Sequence, residues 1–226
     1  MQLIAHRGFW WPRRDAQNHP SSVLNAFANG YGCEVDIWGV HGNSIQIGHD
    51  HPQYEWTISS DVSLWKEQPL FLHMKMAREK NLWKIERMCE ILQNANRLER
   101  TFLFQSPDHT GPDKEIASCG IKQLLPIDSL EALQTALKNP DSLDLVTGFW
   151  LEQPELDWVD KVSIDAVHAI GKFCYVVAPE LHERMVDLTC IETWRSANGI
   201  VTDYPHLLAI LLNEDRQIVY PKEVWW

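Results

Sequence analysis

The stretch CEVDI, residues 33–37, alternates an apolar row with an acidic one: Cys33, Val35 and Ile37 on one side, Glu34 and Asp36 on the other. Successive side chains of a β-strand project to opposite faces, so this spacing reads as a strand that sets two carboxylates on a single face. Taken alone, that face could simply be solvated. Its surroundings in the chain decide.

Working outward, short apolar or alternating runs recur at 3–5, 33–37, 70–75, 101–105, 122–125, 143–149, 173–177 and 200–202. Between them lie helical spacings at 21–29 (behind the cap candidates Pro20, Ser21 and Ser22), 79–95, 129–137, 158–170, 180–195 and 205–212, with only a short helix within 106–120. Strand then helix, repeated about eight times, is the signature of a parallel sheet with crossovers. Over 226 residues this predicts a single-domain α/β fold spanning 1–226, a closed (β/α)8 TIM barrel in preference to an open doubly wound sheet.

Composition bounds what such a barrel meets. The formal charge is −11, from 20 basic and 31 acidic side chains, so the surface field repels nucleic acid and anionic membranes. Any phosphate must be held by local groups. Cys33, Cys89, Cys119, Cys174 and Cys190 are odd in number and form no C-x-x-C pair, which reads as reduced, mostly buried thiols. No charged leader with an apolar run opens the chain, and no run of about 18 apolar residues occurs. The expected address is cytoplasmic, without a membrane span.

In a barrel of this kind, groups at the C-terminal ends of several strands meet at one mouth. His6 and Arg7 end the first strand and Glu34 and Asp36 lie on the second. LFLHMK, residues 70–75, sends Phe71, His73 and Lys75 to the inner side of the third. Two inward carboxylates need a counter-charge, and a divalent metal supplies one. The lysine in turn needs an anionic partner, one of those acids or a bound phosphate. His49 and Asp50 follow a hairpin read at 39–49 through Gly42 and Asn43. The His49 imidazole is either a locally satisfied loop group or a partner opposed to His6 across a substrate. Together the set suits a phosphodiester: a metal to neutralise charge and activate water, Arg7 and Lys75 to clamp non-bridging oxygens, and a histidine to protonate the leaving alcohol.

Five motifs carry a family resemblance: IAHRG at 4–8, CEVDIW at 33–38, IGHD at 47–50, LHMK at 72–75 and GIVTDYP at 199–205. In order and spacing they resemble the glycerophosphodiester phosphodiesterase family of TIM barrels, while residues 106–195 match only loosely. The resemblance implies His6 and His49 as the acid/base pair, Glu34 and Asp36 as metal ligands, Arg7 and Lys75 as phosphate contacts, and Mg²⁺ or Ca²⁺ as cofactor. The partner it implies is a small-molecule phosphodiester, with glycerol the typical alcohol. One position departs. The family carries Glu-x-Lys on the third strand, where this chain has His73 two residues before Lys75. As a ligand, an imidazole suits Mn²⁺ or Zn²⁺ better than hard, oxygen-seeking cations. Asp108, just beyond the fourth strand, is either a replacement acid for the metal or a plain turn aspartate. This variant resembles a short branch associated with bacterial surface-polysaccharide gene clusters, which implies a phosphodiester on a sugar or lipid-linked glycan as the substrate. The missing acid also leaves open a phosphate-ester binding protein without turnover, and a lyase-like route in which a substrate hydroxyl attacks and a cyclic phosphate leaves.

Eleven tryptophans are many for this length. Trp10, Trp11, Trp38 and Trp150 fall near strand ends, and either rim the mouth as substrate contacts, Trp38 and Trp150 foremost, or pack loop against barrel. Trp225 and Trp226 are expected at the barrel bottom or a subunit contact. Arg13 and Arg14 read as a second anion grip or as a solvated pair. Asp203 is placed to orient His6 or a loop amide.

Overall fold

The strands run β1 (Gln2–Ala5), β2 (Gly32–His41), β3 (Ser44–Ile47), β4 (Tyr54–Trp56), β5 (Leu70–Met74), β6 (Thr101–Gln105), β7 (Lys122–Ile127), β8 (Gly148–Leu151), β9 (Phe173–Val177) and β10 (Gly199–Thr202). They come from a computed structural model that describes residues 1–58, 67–75, 82–105, 112–155, 157–184 and 188–212. Eight of them, β1, β2 and β5 to β10, pair in parallel in the order β1-β10-β9-β8-β7-β6-β5-β2. Pairing of Ile4 with Gly32 and Ala5 with Cys33 joins β1 to β2 and shuts the ring. An open doubly wound sheet has no such pairing, so the closed (β/α)8 barrel is the fold.

The two periods of the sequence become two cores. One row of strand side chains fills the lumen: Ile4, Phe71, Phe102, Phe104, Leu124, Trp150, Tyr175, Val177 and Val201 form a separate cluster. Its filling is largely aromatic, with Phe71 stacked on Phe102 at 5.0 Å and Phe104 on Trp150 at 4.2 Å between ring centroids. The other row, including Leu3, Val35, Leu72 and Cys174, meets the helices through residues such as Val23, Ile85, Leu92 and Ile164. Cys33, Cys89 and Cys174 are buried, and all five cysteines are free thiols.

The helices are α1 (Pro20–Ala28), α2 (Leu82–Asn94), α3 (Lys114–Ser118), α4 (Leu130–Ala136), α5 (Pro140–Leu143), α6 (Lys161–Ala169), α7 (Leu188–Trp194) and α8 (Pro205–Leu211). Pro20 opens α1 as its first helical residue, where the missing N–H costs nothing, and the cap is His19, whose ring accepts from the Ser21 N–H. Asp160 and Ser163 close a reciprocal capping box that starts α6 three residues later than its apolar spacing indicates. Two boundaries differ more from expectation. The strand read at 143–149 begins only at Gly148, because Asn139 caps a helical turn at Pro140 that takes in Leu143. The helix read at 180–195 is a 3-10 turn at Pro179–His182, ended by Glu183 in the left-handed region, and then α7. The hairpin expected through Gly42 and Asn43 is present, with His41 paired to Ser44, and it extends β2 beyond the barrel. Trp225 and Trp226 lie outside the described residues, among which no helix is long and apolar enough to cross a membrane.

Candidate active site

Alternation on β2 and β5 delivers the inner row to the mouth. Glu34 and Asp36 are each 1% exposed, and Asp36 sits in register with His73 on the neighbouring strand. Asp36 is the hub: its Oδ1 lies 3.1 Å from Lys75 Nζ and 3.1 Å from His73 Nδ1. Its Oδ2 lies 3.0 Å from Arg7 Nε and accepts from Asn18 Nδ2 at 2.9 Å. Burial alone would push the Asp36 carboxyl up, but His73, Lys75 and Arg7 together outweigh it and hold the group below the ordinary carboxylate range. Glu34 goes the other way. Burial first, and then the Asp36 charge, push its carboxyl up to about 7. Burial also lowers the His73 imidazole against the opposing pull of Asp36, which favours a neutral ring.

The His-Arg-Gly of the first motif is a sharp reversal. Arg7 takes a φ of +54° and Gly8 a φ of +88°, and a Cβ on Gly8 would meet the Ser22 main chain at 2.7 Å. Only glycine fits there. The reversal folds Arg7 back over the mouth, so that its N–H donates to Glu34 Oε2 at 3.0 Å while its guanidinium reaches Asp36. Left-handed backbone at a non-glycine residue is strained, and such strain concentrates at functional sites.

His6 is held from the far end of the chain. Its Nδ1 lies 2.7 Å from Asp203 Oδ1, and its Nε2 faces Glu34 Oε2 at 3.8 Å. The carboxylate fixes the ring orientation and leaves Nε2 as the working nitrogen. His49 stands on the rim. Gly48 donates its N–H to the Asp36 carbonyl at 3.1 Å, Trp38 Nε1 donates to the Gly48 carbonyl at 2.8 Å, and His49 Nδ1 contacts Asp50 at 2.6 Å. Trp38 thus anchors the histidine loop.

Trp150, expected on the rim, is buried at 3% exposure inside the lumen. It forms the floor: His73 stacks on Phe104 at 4.7 Å, and Phe104 stacks on Trp150. Trp10 is likewise buried, its ring N–H donated to the His6 carbonyl, whereas Trp11 is 41% exposed. Arg13 is exposed and paired with Asp15 at 2.8 Å rather than turned to the mouth. Asp108 lies outside the described residues.

Four residues at the mouth are not marked by the motifs. Asn18 grips Asp36 twice, its carbonyl accepting the Asp36 N–H at 2.9 Å, and no local pattern points to it. Glu152, two residues after inward Trp150, accepts from that ring and senses Lys75 and His6; period-two spacing points to it. Glu180 and His182 lie on the turn after β9, where Glu180 accepts from the Thr202 hydroxyl and His182 senses His6. A position just past a strand end was the available signal.

Glu34, Asp36 and His73 each offer a ligand atom, and these atoms lie within 4.8 Å of one another. Two carboxylate oxygens and one imidazole nitrogen make a donor set that fits a divalent cation of borderline character.

No protein-family model matches the chain, and no curated protein does. Solved structures do match. A glycerophosphodiester phosphodiesterase from Parabacteroides distasonis ATCC 8503 superposes with a TM-score of 0.65 at 19% identity, over 94% of this chain and 97% of that one. One from Agrobacterium tumefaciens str. C58 gives 0.63 at 12% identity, over 94% and 99%. This chain has the barrel fold of solved glycerophosphodiester phosphodiesterases. At such identities the likeness is one of fold, and chemistry has to be inferred from the mouth itself.

Proposed function

We propose that this chain is a metal-dependent phosphodiesterase that hydrolyses a glycerophosphodiester-like ester, or one joining phosphate to a sugar or lipid carrier. One observation carries the reading: at the ends of three separate strands, Arg7, His73 and Lys75 converge on the buried Asp36 carboxylate while His6 and the Arg7 N–H face the buried Glu34 beside it. The names of the structural neighbours support the same reaction class. Glu34, Asp36 and His73 would hold the cation, and Asp108 is a further candidate ligand. When bound, that cation supplies charge neutralisation at phosphorus and a more acidic water. The imidazole favours Mn²⁺ or Zn²⁺ over Mg²⁺ or Ca²⁺.

Arg7 and Lys75 bring two positive charges to the place where non-bridging oxygens must sit, Arg7 through a planar fork and Lys75 as a point charge. His6, oriented by Asp203, accepts or delivers a proton at Nε2, and His49 serves the opposite side of the displacement. Trp38 holds the His49 loop and Trp150 supports the floor. The substrate is a small molecule. A chain of charge −11 repels nucleic acid. Residues 1–226 act as one domain.

The test is alcohol release from glycerophosphodiesters with Mg²⁺, Ca²⁺, Mn²⁺ or Zn²⁺. Glu34→Ala and Asp36→Ala should lose both metal binding and turnover, whereas His6→Ala and His49→Ala should keep the metal and lose chemistry. Full activity of Asp36→Ala after chelation would sink the proposal. Tight binding of the diester with no alcohol released under any cation would favour a binding protein instead.

A further inference from the structure

We propose that Glu180 is a positioning residue for His6, acting through Thr202 and Asp203 at the end of β10. The inference rests on the acid/base role proposed for His6. The turn leaving β10 holds that histidine at two points: the His6 N–H donates to the Thr202 carbonyl at 3.0 Å, and Asp203 Oδ1 lies 2.7 Å from Nδ1. The turn is itself closed by the Thr202 hydroxyl, which accepts the Tyr204 N–H at 3.0 Å and gives its own proton to Glu180 Oε1. A hydroxyl has one proton to donate. At 3% exposure, Thr202 has no bulk water to replace Glu180 as acceptor.

Glu180 arrives from the next strand along, on the turn after β9, so two adjacent strand ends are braced against each other. Burial pushes its carboxyl up, the Thr202 hydroxyl and the main-chain N–H groups of Glu180 and Asp203 pull it down, and the Asp203 charge pushes it up again. Asp203 is therefore a direct electrostatic neighbour. The second oxygen of Glu180 is buried with no hydrogen-bond partner among the described residues, so the carboxyl sits there at a desolvation cost that the Thr202 hydroxyl only partly offsets. What the carboxylate adds is direction: it fixes the Thr202 hydroxyl, hence the turn, hence the Asp203 oxygen that aims the His6 ring. A displacement of about 1 Å at such a group is worth on the order of 10²-fold in rate.

The experiment compares the full chain with Glu180→Ala, Glu180→Gln and Thr202→Val. In the wild type the His6 Nδ1 proton should give a downfield resonance in NMR, held by Asp203. It should broaden or vanish in Glu180→Ala and Thr202→Val and return in Glu180→Gln, which keeps an acceptor oxygen. Turnover should fall on the order of 10²-fold in kcat with KM within about twofold. Glu180→Ala combined with Asp203→Asn should be no slower than Asp203→Asn alone, since both act on one path. An unchanged His6 resonance in Glu180→Ala and Thr202→Val overturns the inference, as does multiplication of the two kcat losses in the double variant. Should Glu180→Ala not fold, Thr202→Val carries the same test. The resonance needs no turnover, so a chain that releases no alcohol defeats the proposed function, while the His6 signal still decides whether Glu180 positions the ring.

Discussion

Glu34 and Gly8 show how much of the site is set one residue at a time. The Glu34 carboxyl stands at about 7 in the fold against 4.5 ordinarily, because burial and Asp36 disfavour its charge. For an acid raised by folding, the folded chain binds a proton that the unfolded chain has already released, so stability falls as pH rises between those values. The slope is about 1.4 kcal/mol per pH unit. Urea unfolding of metal-free protein should therefore show lower stability at pH 8 than at pH 5, and Glu34→Gln should flatten that dependence. A steep loss that survives in Glu34→Gln would move the cause elsewhere. Gly8→Ala places a methyl 2.7 Å from the Ser22 backbone at a φ of +88°. It should cost roughly 1–3 kcal/mol in urea unfolding and displace Arg7.

At the scale of elements, β2 and β5 act as one device, since their register puts Asp36 beside His73 and makes His73 the third candidate ligand. His73→Glu should shift metal preference from Mn²⁺ or Zn²⁺ toward Mg²⁺ or Ca²⁺, as read by titration calorimetry without substrate. An unaltered preference would show that His73 does not face the ion. This pair of strands is legible in the sequence because period-two alternation is a local property: Glu34, Asp36, His73 and Lys75 follow from the pleat alone. The sixth barrel strand is not. The Asn139 cap and Pro140 at the first helical position turn residues 140–143 into a helix, and β8 runs from Gly148 on to Leu151, so Trp150 falls within the strand rather than at its end and Glu152 takes the mouth position instead.

The whole molecule depends on a lumen filled with rings. Phe71 is fully buried, stacks on Phe102 and packs at 4.8 Å against Tyr175. Phe71→Ala should cost about 3–5 kcal/mol and lower Tm by roughly 10 °C. Val162→Ala, at a position 75% exposed, should stay within about 0.5 kcal/mol. Equal shifts in the two variants would contradict a packed lumen. The alternation of strand and helix, and the faces of β2 and β5, were determined by the sequence itself, because repeat spacing and pleat act between near neighbours. Ring closure chose His6 over a loop amide as the partner of Asp203, 197 residues away, and brought together what no spacing indicates: Asn18 with Asp36, and Glu180 with Thr202. Those contacts depend on which strand ends meet around a closed barrel and how each loop returns, and both are settled only when the last strand pairs with the first.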